Sequence, residues 1–166
     1  MNLLTRRLIL GAALALALAG AAALPATALA YDNESTAAIN TEAGNVILHG
    51  YDPVAYFTAG AAVRGDTRYR AEHGGAVYHF SAAAHRDAFL ADPARYVPQY
   101  GGFCAMGVAL GKKLDVDPTQ FHVQDGKLYL NLNAEVSAKW SEDVPGNLQK
   151  AELHWPLIRD QSPESL

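Results

Sequence analysis

The chain holds a single cysteine, Cys104, and the stretch that carries it, Gly74 to Gly107, also carries His79, His85 and Met106. Thiolate, imidazole and thioether are the donors that suit soft or borderline transition ions, copper first and zinc second, and that disfavour magnesium and calcium. Those four residues form a candidate metal-ligand set. The same cysteine supports a second chemistry, because a thiolate stabilised by backbone N–H groups or by an imidazolium is a redox nucleophile. No Cys-x-x-Cys is present, so a cycle on Cys104 needs a redox partner protein or another external resolving thiol. In a third reading nothing reacts: the domain is structural or interacts through its aromatic residues, the histidines satisfy core hydrogen bonds, Met106 fills space and Cys104 is a small hydrophobe. Exposure separates the last two, since a reacting thiol is expected to be partly accessible and acidified, and a packing thiol buried.

The elements that would position these residues follow from turn and cap signals. Tyr69–Glu72 and Ala76–Phe80 flank His73-Gly74-Gly75 and predict a hairpin, because glycine supplies the positive φ of a tight turn. Ser81 then reads as the N-cap of a helix running to about Ala91 and stopped by Pro93, which puts His85 and Phe89 on one face at i,i+4. A strand-to-helix corner would bring His79 toward His85, and the Gly101-Gly102 turn would bring Cys104 beneath them. Asp52 before Pro53 predicts a capped short helix through Tyr56 and Phe57. Phe121–Val123 and Lys127–Leu132 flank Gln124-Asp125-Gly126 as a second hairpin. Two helices close the domain, one capped by Asn133 and one after Asp143 with Pro145 in its first turn; Phe89, Tyr96, Trp140, Leu148, Leu153 and Trp155 are expected in the core. Hairpin, helix, hairpin, helices is the pattern of an α+β fold, here one small domain of β-hairpins packed on short helices.

The four other histidines are weaker ligand candidates. His122 lies between Phe121 and Val123 and turns to the opposite face of its strand, toward solvent. His49, His73 and His154 sit near loop or helix ends, where a hydrogen-bonded surface imidazole is the default. Gly107 to Lys113 has three residues between its glycines and no Ser or Thr after the first lysine, so it is not a phosphate loop. Asp115-Val116-Asp117-Pro118 reads as turn chemistry, and a calcium loop fails because Gln120 stands where the central glycine belongs. With neither Gly-x-Ser-x-Gly nor His-Glu-x-x-His in the chain, hydrolases are the least favoured enzymes; any enzyme here is a thiol-dependent oxidoreductase.

Tyr78-His79-Phe80-Ser81, followed by Phe89, Asp92-Pro93 and Tyr96, with Tyr51-Asp52-Pro53-Val54-Ala55-Tyr56 before and Gly102-Phe103-Cys104-Ala105 after, resembles the YHS domain over roughly Ile47 to Leu157. The chain also resembles the exported bacterial YHS proteins. The resemblance implies a small module suspected of binding transition metals. Metal-loaded versions carry cysteines where this chain has Ser81 and His85, so a two-thiol site there is excluded and a metal site must be rebuilt from other residues. Some exported members carry selenocysteine, which the resemblance aligns with Cys104 and which would mark that position as reactive.

Residues 1–30 read as a cleavable export signal: Arg6-Arg7, an apolar run from Leu8 to Leu24, and small residues at Ala28-Leu29-Ala30. Thr5-Arg6-Arg7-Leu8-Ile9-Leu10 resembles a twin-arginine signal; the alternative is a general secretory signal with two ordinary basic residues. Pro25 ends the run short of a full span, so no membrane anchor is expected after cleavage and the mature chain is placed in the periplasm or outside the cell. Residues 31–45 read as a flexible leader, 46–158 as the domain and 159–166 as a tail. Thirteen Lys and Arg stand against seventeen Asp and Glu, a formal charge of −4. That balance argues against nucleic acid, whose binding depends on Lys and Arg contacts to phosphate.

Overall fold

A computed structural model describes residues 31–166; the expected export signal lies outside them. Two sheets carry the fold. The first has the order β1-β2-β4-β3, with β1 at Thr41–Glu42, β2 at Val46–Ile47, β3 at Asp66–His73 and β4 at Ala76–Phe80. β3 and β4 form the expected hairpin, antiparallel with Ala71 opposite Tyr78, while β2 meets β4 in parallel through Val46 and Val77. Gly74 and Gly75 both take positive φ at the tip, which is why the chain can reverse there. The second sheet is the hairpin of β5 (Asp117–Gln124) and β6 (Lys127–Asn131).

The helices are α1 (Ala55–Thr58), α2 (Ala83–Ala91), α3 (Ala105–Ala109), α4 (Ala134–Glu142) and α5 (Val144–Ile158). The last two begin where the sequence predicts. Asn133 Oδ1 accepts from Val136 N at 2.9 Å and Asp143 Oδ1 from Gly146 N at 3.0 Å, each satisfying an orphan donor of a first turn. Among the described residues this is the predicted small α+β domain, and no helix is long and apolar enough to cross a membrane.

β6 joins two apolar clusters because it is covered on both faces. Leu128 and Leu130 enter a cluster with Ile47, Tyr56, Tyr78, Phe80 and Phe89, whereas Tyr129 enters another with Tyr100, Phe103, Trp140 and Ala151. Phe89 and Trp140 are fully buried and Tyr96 nearly so, as expected. Leu153 is not in the core: it is 66% exposed. α5 buries Asn147, Ala151 and Ile158, and two residues past Ala151 is about 200° around a helix, on the wet face. Trp155 packs against Tyr100 and Phe103.

Residues 31–45, expected as a flexible leader, contribute the edge strand β1 and are tied to the domain. Asn40 N–H donates to Gly101 O at 2.8 Å, and Tyr31 OH to Lys113 O at 3.0 Å. The tail is held as well, since Glu164 N–H donates to Asn33 O and Lys112 Nζ to Leu166 O.

Candidate functional site

His85 lies on the first turns of α2 and faces a carboxylate that comes from far upstream. Asp52 is fully buried, and its Oδ2 lies 2.6 Å from His85 Nδ1. Ser81 donates to the same oxygen twice, from its N–H at 2.8 Å and its hydroxyl at 2.6 Å. Asp52 Oδ1 accepts from Val54 N–H and Ala55 N–H, so it holds the turn that leads into α1, although the N-cap position itself is Val54 and not the expected Asp52. Ser81 does not cap α2. Ala82 occupies the N-cap position without a side-chain bond, because a buried carboxylate needs every donor in reach and the Ser81 hydroxyl turns to it.

An ionised carboxylate only accepts hydrogen bonds, so the contact sets the imidazole with Nδ1–H toward Asp52 and leaves the Nε2 edge outside that bond. The side chain is 27% exposed. Ser81 Oγ lies on the Nδ1 side, 3.3 Å from that nitrogen, and is therefore not placed as a nucleophile activated by Nε2. The arrangement is a partly exposed imidazole held in one tautomer and one orientation by a buried carboxylate, with its other nitrogen outside that bond.

His79, on β4, alternates away from buried Tyr78 and Phe80 and packs under Gly50 and Gly65. A Cβ at Gly65 would stand 2.6 Å from the His79 backbone, so that loop lies directly on the strand. Burial pushes the His79 imidazolium below its ordinary range.

Cys104 is fully buried at the start of α3, where its Sγ accepts from Gly107 N–H at 3.3 Å. Across from it Asn131, at the end of β6, places Oδ1 3.8 Å from Sγ and accepts Met106 N–H at 3.3 Å. Burial pushes the thiol up, against the opposing effect of the Gly107, Leu132 and Met106 amides. The expectation of an accessible, acidified thiol is thereby corrected: the Gly101-Gly102 turn delivers Cys104 into the core beside β6 and not onto the surface. Met106 packs at the border of both clusters.

The expected quartet of His79, His85, Cys104 and Met106 does not assemble as one ligand set. His85 is engaged with Asp52, and Cys104 with Gly107 and Asn131; among the described residues no group of three or more His, Cys, Asp or Glu side chains is gathered to hold an ion. Cys104 and Met106 come together around Asn131. The two imidazoles stay with the first sheet and α2.

No family model, curated protein or solved structure matches this chain. The site is therefore read from its own geometry.

Two partners of these residues, Asp52 and Asn131, were not visible in the sequence as such, and two histidines take contacts it did not suggest. Asp52 was legible as the start of a turn into α1 but not as the partner of His85, because a contact across 33 residues leaves no local signal. Asn131 carries a faint one, a carboxamide closing the apolar run Leu128-Tyr129-Leu130, and it is fully buried. His49, expected as a surface imidazole, bridges two carboxylates, Glu42 on Nδ1 and Asp115 on Nε2 at 3.0 Å. His122 is not simply solvated: its Nε2 meets Ser137 Oγ at 2.9 Å, and burial lowers its imidazolium.

Proposed function

We propose that this is an exported metal-binding domain in which His85 supplies the imidazole donor for a copper-like transition ion and Asp52 orients it. The observation that carries this reading is the 2.6 Å contact between a fully buried carboxylate and Nδ1 of a ring whose side chain is 27% exposed. Metal-ligating histidines characteristically donate their second N–H to a carboxylate or carbonyl, which fixes the tautomer and raises the basicity of the ligating nitrogen. The resemblance to YHS domains supports the same place, since Ser81 and His85 occupy the positions where metal-loaded modules keep cysteines. Imidazole suits copper, zinc, iron and nickel, and copper leads among them by the general affinity order of divalent first-row ions. Cys104 is left out of this donor set, because its sulfur is buried against Asn131 and Gly107.

The setting that fits is the bacterial envelope, on the strength of residues 1–30, and the work that fits is buffering an ion or handing it to a partner that completes the coordination. Equilibrium dialysis of the chain from Tyr31 against copper(II) and zinc(II), with no affinity tag, tests the binding. His85→Gln is expected to remove one bound ion, and Asp52→Asn to weaken binding by about 10- to 100-fold as loss of an orienting partner does. Equal stoichiometry and affinity in the wild type and His85→Gln, both folded by circular dichroism, would refute the proposal.

A further inference from the structure

We propose that the apolar run of residues 8–24 docks on its own domain, in the groove between α3 and α4, for as long as that segment remains attached. The groove has a volume of about 440 Å³. Met106 and Leu110 of α3, Val136 of α4 and Leu114 supply its apolar lining, and Leu110 is 61% exposed. A single exposed leucine is ordinary on a protein surface. Apolar side chains gathered along two helices are different, because they make the kind of groove into which an amphipathic helix lays its apolar face.

Position, pattern and charge name the occupant. Tyr31, the residue that follows the segment, donates from its hydroxyl to Lys113 O at 3.0 Å. The next residue, Leu114, lines the groove and packs on Gly107, where an added Cβ would stand 3.1 Å from Leu114 Cδ1. The chain thus enters the domain beside the groove. Only Pro25 to Ala30 separate the run from Tyr31, and a stretch of that length reaches about 20 Å at most. So short a tether gives an effective concentration on the order of millimolar, and a weak contact is then enough. In the run itself Leu10, Leu14 and Leu18 recur at i,i+4, the spacing of anchors on one helix face. Arg6 and Arg7 precede them, and all seventeen Asp and Glu of the chain lie after residue 30. Glu135 and Glu142 stand at the two ends of the α4 rim, so the arginines meet a carboxylate whichever way the run lies. Lys139, between them, is held by Glu142 at 2.7 Å. Exposed ion pairs add little affinity, and burial of the leucines supplies it. The twin-arginine route moves folded chains, so on that reading run and groove coexist in one molecule before export. Docking covers the run until it is drawn out and cleaved.

The test uses protein labelled with methyl-¹³C methionine. Met1 and Met106 are the two methionines of the chain, so after residue 30 Met106 is a single reporter, and it lies on the groove. Its methyl resonance is expected to differ between the full chain and the chain from Tyr31, with both sedimenting as monomers. Leu110→Glu puts a charge into the groove at an exposed position, and in that background the difference between long and short chains is expected to vanish. Leu14→Glu, which leaves the domain untouched, is expected to abolish it from the other side. An identical Met106 resonance in the long and short chains overturns the proposal. So does a difference that survives Leu14→Glu, or a full chain that sediments as an oligomer, because the runs then meet one another or the groove of a second copy. His85→Gln is expected to keep the wild-type difference, which separates this result from the metal reading.

Discussion

Asp52 shows how a single residue decides what its neighbours become. It accepts from two backbone N–H groups ahead of α1, from Ser81 twice and from His85, and it has no exposed surface. Ser81→Ala therefore removes a hydrogen bond to a buried charge and not a helix cap. The expected loss is about 1.5 to 3 kcal/mol, above the roughly 1 kcal/mol of a cap, measured by urea titration; a loss under about 0.5 kcal/mol would contradict the geometry. His49 makes a pH-dependent contribution of the opposite kind. Its hydrogen bond to Asp115, with a lesser one to Glu42, raises the imidazolium from 6.5 to about 9 in spite of burial. Between those values the folded chain keeps a proton that the unfolded chain gives up, so the stabilisation is whole below about 6.5 and disappears as pH rises through about 9. The stability difference between wild type and His49→Gln is expected to shrink over that window, and a difference that stays constant would rule out the bridge.

At the scale of elements, what the sequence made legible was local and what it hid was long-range. Gly74-Gly75 and Asp125-Gly126 announced both hairpins, and Asn133 and Asp143 announced α4 and α5, because turn and cap chemistry is written in adjacent residues. Ser81 looked equally good as a cap and was claimed instead by Asp52, whose approach depends on the loop that pairs Asp52 N–H with Val63 O. Leu153 looked apolar enough for the core, but the buried stripe of α5 runs through Asn147 and Ala151 and leaves it wet. For the candidate site, the sequence supplied the donor types and the structure regrouped them: His85 with Asp52, Cys104 with Asn131. Phe89 tests the element packing itself. It meets Tyr78 at 4.6 Å and Phe80 at 5.2 Å between ring centres and is fully buried. Phe89→Ala is expected to cost about 3 to 5 kcal/mol, and a loss below about 1 kcal/mol would mean that α2 does not pack on the hairpin.

Over the whole molecule, one buried cation fastens both ends of the described chain. Lys113 is 1% exposed, and its Nζ donates to Ala37 O, Arg159 O and Gln161 O at 2.7, 3.1 and 2.8 Å while lying 4.8 Å from the Phe103 ring centre. Three carbonyls use all the donors of an ammonium group. The segments on either side of the domain thereby close over Phe103, the residue before Cys104, and with Tyr31 and Leu166 they complete the second apolar cluster. Nothing in Gly111-Lys112-Lys113 told which lysine would be internal. Lys113→Met removes these bonds and leaves carbonyls bare, at a cost of about 3 kcal/mol or more. Hydrogen exchange should quicken in residues 31–42 and 159–166 together; quickening at one end alone would show that the two are not fastened at a common point.

If His85 receives the ion, a single spectrum distinguishes it among the six histidines of the chain. Substoichiometric copper(II) added to the isotopically labelled chain from Tyr31 broadens the resonances of the imidazole it binds. His85 is expected to broaden first, and Asp52→Asn to raise the copper needed to broaden it. First broadening at His73, His122 or His154, with His85 still sharp, would contradict that assignment.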